Sequence, residues 1–423
     1  MAVELGSRHI GGAIFEISRA NPPFRLIKKL KYDFPRSYEP LRVVQKLREI
    51  LFGVVREAGR VPRRIAVAFG PPLAECSVEM WIAPLGPGAR GLTRKDLSRS
   101  FDGLFEQKQR EREALIVYPT ETFVNRYRLP FAPSPQRHRR LAWRPAGEYV
   151  GSQGSFGGMG LVGLALASPG TDCIIEVKPH DVRFRTFVAT FSREVGVALG
   201  SIKEMLGGIP IEFVPLAAVY QQAMFGGMAL RDVFLVDLGG RSTSLMLLRD
   251  GELRQYVSFA YGMENIALSV SSGEEESDRR VKSGLEGVKS RPLSSGRESD
   301  IMRDYIRGFL NEHQRLKVAE FVRTGVQNWR AEFMKALDHF YHEGPLPSQV
   351  LVAGGGARLP EVQNALKASD WIRDISFVDS AEVSLFDGKA LFGGESLGGC
   401  IQGPEDAALA STIWYVIHEH AFV

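Results

Sequence analysis

DVFLVDLGGRSTSLMLLRDGEL, Asp232 to Leu253, is the stretch that decides the fold. Val233 to Leu238 is an apolar run of strand length, Gly239 and Gly240 break it, and the run resumes before Asp250-Gly251. An Asp-Gly pair between apolar runs is a strong hairpin signal, because both residues tolerate the left-handed backbone a tight turn needs. The segment therefore reads as strand, glycine turn, strand, hairpin turn, and YVSFAYG (256–262) continues the meander. Asp237 stands at the mouth of the glycine turn. Glycine lets backbone N–H groups approach an anion, and a carboxylate beside it can hold Mg²⁺ through the water shell that this ion keeps.

The chain opens on the same theme. Ala2 to Leu5 is followed by a GSRH turn and by IGGAIFEIS, with Glu4 just before the turn. A third glycine turn comes late, in QVLVAGGGARLPEVQNAL (349–366), which reads as strand, turn and helix. Pro360 falls in the first helical turn, where its missing N–H costs least. Any one of these is an ordinary tight turn, and GGGARL lacks the last glycine of a dinucleotide fingerprint. Together they suggest two hairpins clamping a metal-bound triphosphate from both sides, with the third turn against the nucleoside. The candidate ligand contacts are Gly6, Ser7, Arg8 and His9, then Gly239, Gly240, Arg241, Ser242 and Thr243, then Gly354, Gly355 and Gly356. Glu4 and Asp237 are the metal candidates.

Between these turns the pattern alternates helices and strands. Val43, Val44, Leu47, Leu51 and Val54 recur at helical spacing within 41–58, and RIAVAFG (64–70) is a strand ended by two prolines. LTRKDLSRSFDGLFE predicts a helix with Thr93 as N-cap and Asp96 in the capping-box position. ALIVYPTETFVNRYRL predicts a strand pair, and the Pro-, Arg- and Gly-rich stretch 131–160 a long loop. IPIEFVP leads into a helix from Leu216. Residues 271–300 are charged and rich in Ser and Gly, which predicts a flexible surface segment with at most one short helix. Val322, Val326, Trp329, Phe333, Leu337 and Phe340 line one face of a helix between 317 and 341.

At 423 residues the chain calls for more than one core. A net charge of +4 gives no case for a nucleic-acid partner. Cys76, Cys173 and Cys400 are far apart and make no metal spacing, which points to free thiols in a reducing cytoplasm. The first residues form no signal peptide, and no apolar run reaches the ~18 residues a membrane span needs. His339 and His342, beside Asp338 and Glu343, read as a solvated helix end, and the basic stretch Gln136 to Arg144 as a solvated loop. There is no Walker lysine motif or Cys/His nucleophile setting, and no residue is assigned a catalytic role.

The order of these motifs resembles the FtsA family of bacterial cell-division proteins, within the actin-like ATPases. FLVDLGGRSTSLMLLRDGELRQYVSFAYGMENI looks like that family's second phosphate hairpin, VLVAGGGARLPEV its adenosine motif, and IPIEFVPLAAVYQQ the helix joining its halves. GLTRKDL, IVYPTETFVNRYRL and FGGMGLVGLALA follow the order of the family's inserted subdomain. The resemblance implies an α/β fold of two actin-like (ribonuclease H-like) lobes with an α+β insert. The first lobe would take 1–70 and 168–230, the insert 71–167, and the second lobe 231–423, with a small subdomain at about 268–345.

It further implies ATP and Mg²⁺ in the cleft, with Glu276 and Lys282 near the ribose and adenine. Nucleotide would act as a conformational or polymerisation switch, with self-association and an FtsZ-like tubulin homologue as partner. The place of action would be the cytoplasm, at the inner face of the membrane through partners. No basic amphipathic helix follows ALASTIWYVIHEHAFV, which resembles the family's last core element. Glu4 stands where the family has Asp, and His9 where Lys is common. One extra methylene moves a carboxylate by about 1.5 Å, so the expectation is ATP binding with weak or absent hydrolysis. Two other readings of the fold are a PilM-like pilus-assembly adaptor and a small-molecule kinase.

Overall fold

The computed structural model describes residues 1–17, 24–34, 39–57, 62–85, 92–112, 114–124, 127–129, 173–175, 181–206, 208–268, 298–386, 388–392, 401 and 403–420. Two five-stranded sheets carry the molecule, and they share one topology. In the first, β1 (Ala2–Leu5), β2 (His9–Ile17) and β3 (Phe24–Asp33) form an antiparallel meander. On the other side of β1, β4 (Ile65–Phe69) and β11 (Ile211–Pro215) add in parallel. In the second, β12 (Val233–Leu238), β13 (Thr243–Arg249) and β14 (Glu252–Phe259) are the meander. There β15 (Gln349–Ala353) and β16 (Glu382–Leu385) are the parallel strands. The apolar runs IAVAF and VFLV belong to strands covered on both faces, where alternation with polar residues is lost.

Helices close the sheets as their periodicity predicts. Helix Pro40–Glu57 buries Val43, Val44, Leu47 and Leu51 in the first core. Helix Glu312–Leu337 buries Val322, Val326, Trp329 and Phe333 in the second, and Phe340 follows from a 3₁₀ turn. Helix Leu216–Gln222 leads from β11 toward the second sheet. Helix Ala407–His420, grouped by sequence position with the second lobe, packs back onto β1, β2, β4 and that connecting helix.

The third sheet is inserted after β4. It runs β5 (Glu75–Pro84), β10 (Asp181–Phe191), β7 (Ala114–Val124), β8 (Tyr127–Leu129), and a short pair joins β6 (Leu92–Thr93) to β9 (Cys173–Ile175). Helix Arg94–Glu111 covers it, with the reciprocal Thr93–Asp96 capping box the sequence predicts. The sequence reading places β10 in the first lobe, yet it pairs on both edges with strands of the insert. It serves two cores: Val182, Phe184 and Val188 pack with Trp81, Leu97 and Phe101, while Phe187, Ala189 and Phe191 join the core of the first sheet. Arg185 of β10 and Arg254 of β14 both reach the buried Glu121, at 3.0 and 2.8 Å, and tie the insert to the second sheet. Among the described residues no helix is long and apolar enough to cross a membrane.

Candidate functional site

The two meanders present equivalent hairpins toward each other. In the first, the Gly6 N–H donates to the His9 carbonyl at 3.0 Å and leaves Ser7-Arg8 as the loop. In the second, the Gly239 N–H donates to the Ser242 carbonyl at 3.0 Å and leaves Gly240-Arg241. Superposing the turns pairs Glu4 with Asp237, Arg8 with Arg241, and Ile10 with Thr243. The loops touch: the Arg241 N–H donates to the Ser7 hydroxyl at 3.0 Å. A Cβ on Gly240 would lie 2.3 Å from Cγ of Arg8 and 2.9 Å from the Ser7 hydroxyl, so a side chain there would force the hairpins apart.

Beneath the loops is a cavity of about 390 Å³, within the roughly 300–1,000 Å³ typical of small-molecule sites. Glu4, Gly6, Ser7, Arg8 and His9 line it from the first hairpin, and Asp237, Gly239, Gly240 and Ser242 from the second. Gly354 and Gly355 line it from the third turn, where the Gly354 N–H donates to the Pro404 carbonyl at 2.8 Å. Met263, Ala267, Met302 and Ile306 give one wall an apolar character.

The floor is acidic. Burial, reinforced by Asp237 and Asp406, pushes the Glu4 carboxyl up to about 8. Burial raises Asp237 to about 6, against the Tyr220 hydroxyl, which donates to it at 3.4 Å. Burial and the nearby Lys31 lower His9 to about 4, so this imidazole is neutral at pH 7. Lys29 pairs with Asp406 at 2.7 Å. Among the described residues no three His, Cys, Asp or Glu side chains stand close enough to ligate a metal together. Two facing acids whose ionisation is suppressed by burial suit a hydrated hard cation shared with phosphate oxygens.

Two predicted contacts, Thr243 and Gly356, face away from the cavity, and a third, Arg241, is held by a residue that lines it. Thr243 is fully buried; its hydroxyl donates to the Tyr261 carbonyl at 2.7 Å and accepts from the Trp329 indole N–H at 2.9 Å. Gly356 packs against the Leu238 side chain. Arg241 turns to Glu264, at 2.8 Å. Glu276, Lys282 and the basic stretch 136–144 lie outside the described residues.

No family model matches the chain, and no curated protein does. Among solved structures, a PilM–PilN type IV pilus biogenesis complex matches with a TM-score of 0.57 at 14% identity, over 97% of this chain and 96% of that one. The fold is that of the actin-like ATPases. The ethanolamine utilization protein EutJ from Carboxydothermus hydrogenoformans is a more distant likeness, with a TM-score of 0.43 and 11% identity over 98% of this chain and 87% of that one.

Within this actin-like frame several residues that motif reading missed come to the cleft. Glu264, Tyr220, Arg307, Arg358 and Glu405 all line it. Tyr220 arrives as the fifth residue of the connecting helix, within a run that reads as plain core. Glu264 carried one available signal: it follows the FAYG end of the meander with only Met263 between, in the first turn of a helix.

Proposed function

We propose that this chain is an actin-like nucleotide-binding adaptor, in which ATP with Mg²⁺ in the cleft sets the relation of the two lobes and a protein partner reads it. The observation that carries this is the pair of equivalent glycine hairpins, meeting above the buried Glu4 and the half-buried Asp237 with a third glycine turn beside them. Backbone N–H groups and arginines of the hairpins would hold the phosphates. Glu4 and Asp237 would hold Mg²⁺ through its waters, and the ion would offset the negative charge of the bound phosphate oxygens. Gly354 and Gly355 would back the nucleoside, with Met302 and Ile306 offering an apolar face to the base. Nucleotide acts here as a switch rather than a fuel, because binding can draw the lobes together without hydrolysis.

The partner reading draws on the PilM–PilN complex, whose likeness spans nearly all of this chain. It supports an adaptor that engages another protein. The cell-division reading, with self-association and an FtsZ-like partner, rests on the sequence motifs and predicts polymers that sediment with ATP. Calorimetry with ATP and Mg²⁺ tests the shared part. Wild type should bind, and Asp237→Ala should lose Mg²⁺-dependent binding while it stays folded. Equal affinity of the two proteins would remove Asp237 from the site, and no binding by wild type would remove the function.

A further inference from the structure

The carboxylate of Glu264 spans the two hairpins. One oxygen lies 2.9 Å from Nη1 of Arg8 and the other 2.8 Å from Nε of Arg241. These arginines hold the same position in equivalent turns, one on each sheet. The Glu264 N–H donates to the Gly240 carbonyl at 2.7 Å, so the glutamate is anchored to the second hairpin. Its contact with Arg241 therefore stays within one lobe, and its contact with Arg8 crosses between lobes. Both are charge pairs between partly exposed groups.

We propose that Glu264 is an internal stand-in for phosphate: it fills an anion seat made by Arg8 and Arg241 when no nucleotide is present, and the last phosphate of a nucleotide displaces it. The inference rests on the nucleotide reading above. Two guanidinium groups converging from opposite sides suit a phosphate, whose several oxygens take more N–H donors than a carboxylate offers. A terminal phosphate also carries more charge than one carboxylate, so it wins the seat and then repels the displaced glutamate. Glu264 lies on the same helical turn as Met263 and Ala267, which line the cleft, so its departure moves a wall of the site. Occupancy of the seat thereby changes the bond that joins the lobes.

The test is calorimetric titration of ATP with Mg²⁺, and separately of inorganic tripolyphosphate, into wild type, Glu264→Gln and Glu264→Asp. The glutamine is isosteric and has no charge; the aspartate keeps the charge but is too short to span both arginines, and it serves if the glutamine variant does not fold. Without the competing carboxylate, affinity for both probes should rise by about tenfold in Glu264→Gln and by less in Glu264→Asp. Equal or weaker ATP binding by both variants overturns the stand-in and leaves the nucleotide reading intact. Tighter tripolyphosphate binding with no ATP binding by any protein upholds the seat and ends the nucleotide reading. If neither probe binds any of the three, both fall.

Discussion

The two hairpins solve one problem with opposite choices of size. In the first, the acid is the longer Glu4, and the residue across the ladder is Gly11. In the second, the acid is the shorter Asp237, and the residue across is Ser244. A Cβ on Gly11 would lie 3.1 Å from Oε2 of Glu4, so the bare glycine supplies the room that the extra methylene takes. The hydroxyl of Ser244 instead shares a hydrogen bond of 2.8 Å with the Tyr256 hydroxyl and fills its side of the second hairpin. The departure at Glu4 is thus half of a compensated pair. Its charge state differs as well, since Glu4 is pushed up to about 8 and Asp237 to about 6.

The largest effect comes from breaking the contact between the hairpins. Gly240→Val puts branched carbon where Arg8 and Ser7 already stand. ATP affinity should drop by more than about 100-fold, because the hairpins no longer close on a common ligand. Ser7→Val, the same change at the equivalent loop position, faces the glycine side of the contact and should cost far less. Equal losses in the two variants would mean that the hairpins tolerate separation.

Much of this was legible in the sequence, because hairpins, caps and amphipathic helices are local. Thr93 and Asp96, Pro360 and the Val322-to-Phe340 face were fixed by spacing along one element. The misplaced parts are those that long-range packing decides. Strand β10 and helix Ala407–His420 carry no mark of which sheet they join, and each sits far along the chain from its partners. In the cleft, turn chemistry pointed to Gly6, Gly239 and Gly354, whereas Thr243 and Glu264 exchanged roles for a reason outside their own segments. Trp329, distant in sequence, takes the Thr243 hydroxyl, and the pairing of Arg8 with Arg241 gives Glu264 its place.

The difference in charge state between the acids can be read as pH dependence in the nucleotide-free protein. Glu4 titrates near 4.5 when unfolded and near 8 when folded. Across that window the folded state keeps a proton that the unfolded state has lost, so ionisation favours unfolding and stability falls as pH rises. Above pH 6.5 Asp237, at about 6, and His9, at about 4, are largely past their transitions. The Met1 amine, lowered to about 6 by burial, contributes alike in wild type and in a Glu4 variant, so the difference between the two proteins reports Glu4. Between pH 6.5 and 8, Glu4→Gln should gain about 2 kcal/mol on wild type in urea unfolding. A constant difference between the two proteins across that range would mean that Glu4 is ionised at neutral pH.

Thr243 and Ile10 are equivalent and both buried, yet only Thr243 carries a hydroxyl. Thr243→Val should cost about 1–2 kcal/mol in stability, since it strands the Tyr261 carbonyl and the Trp329 N–H. ATP affinity should not change, because the hydroxyl faces the core of the second sheet. A loss of affinity with unchanged stability would return Thr243 to the ligand.

The size swap itself gives the smallest effect and the cleanest test. Gly11→Ser alone presses a side chain toward Oε2 of Glu4, and Glu4→Asp alone leaves a gap beside Gly11. Each single change should cost about 1 kcal/mol of stability. The double variant Glu4→Asp, Gly11→Ser copies the second hairpin, so the costs should cancel in part. A coupling energy of about 0.5–1.5 kcal/mol is the size expected for residues in contact. Both residues face the same ladder position, so coupling through the carboxylate is the direct route. Costs that add without coupling would mean that Gly11 is there for its backbone and that the longer acid finds its room elsewhere. The same double variant also separates length from charge. If the rise of Glu4 comes from burial and from Asp237, an aspartate at the same depth should still ionise well above its ordinary range.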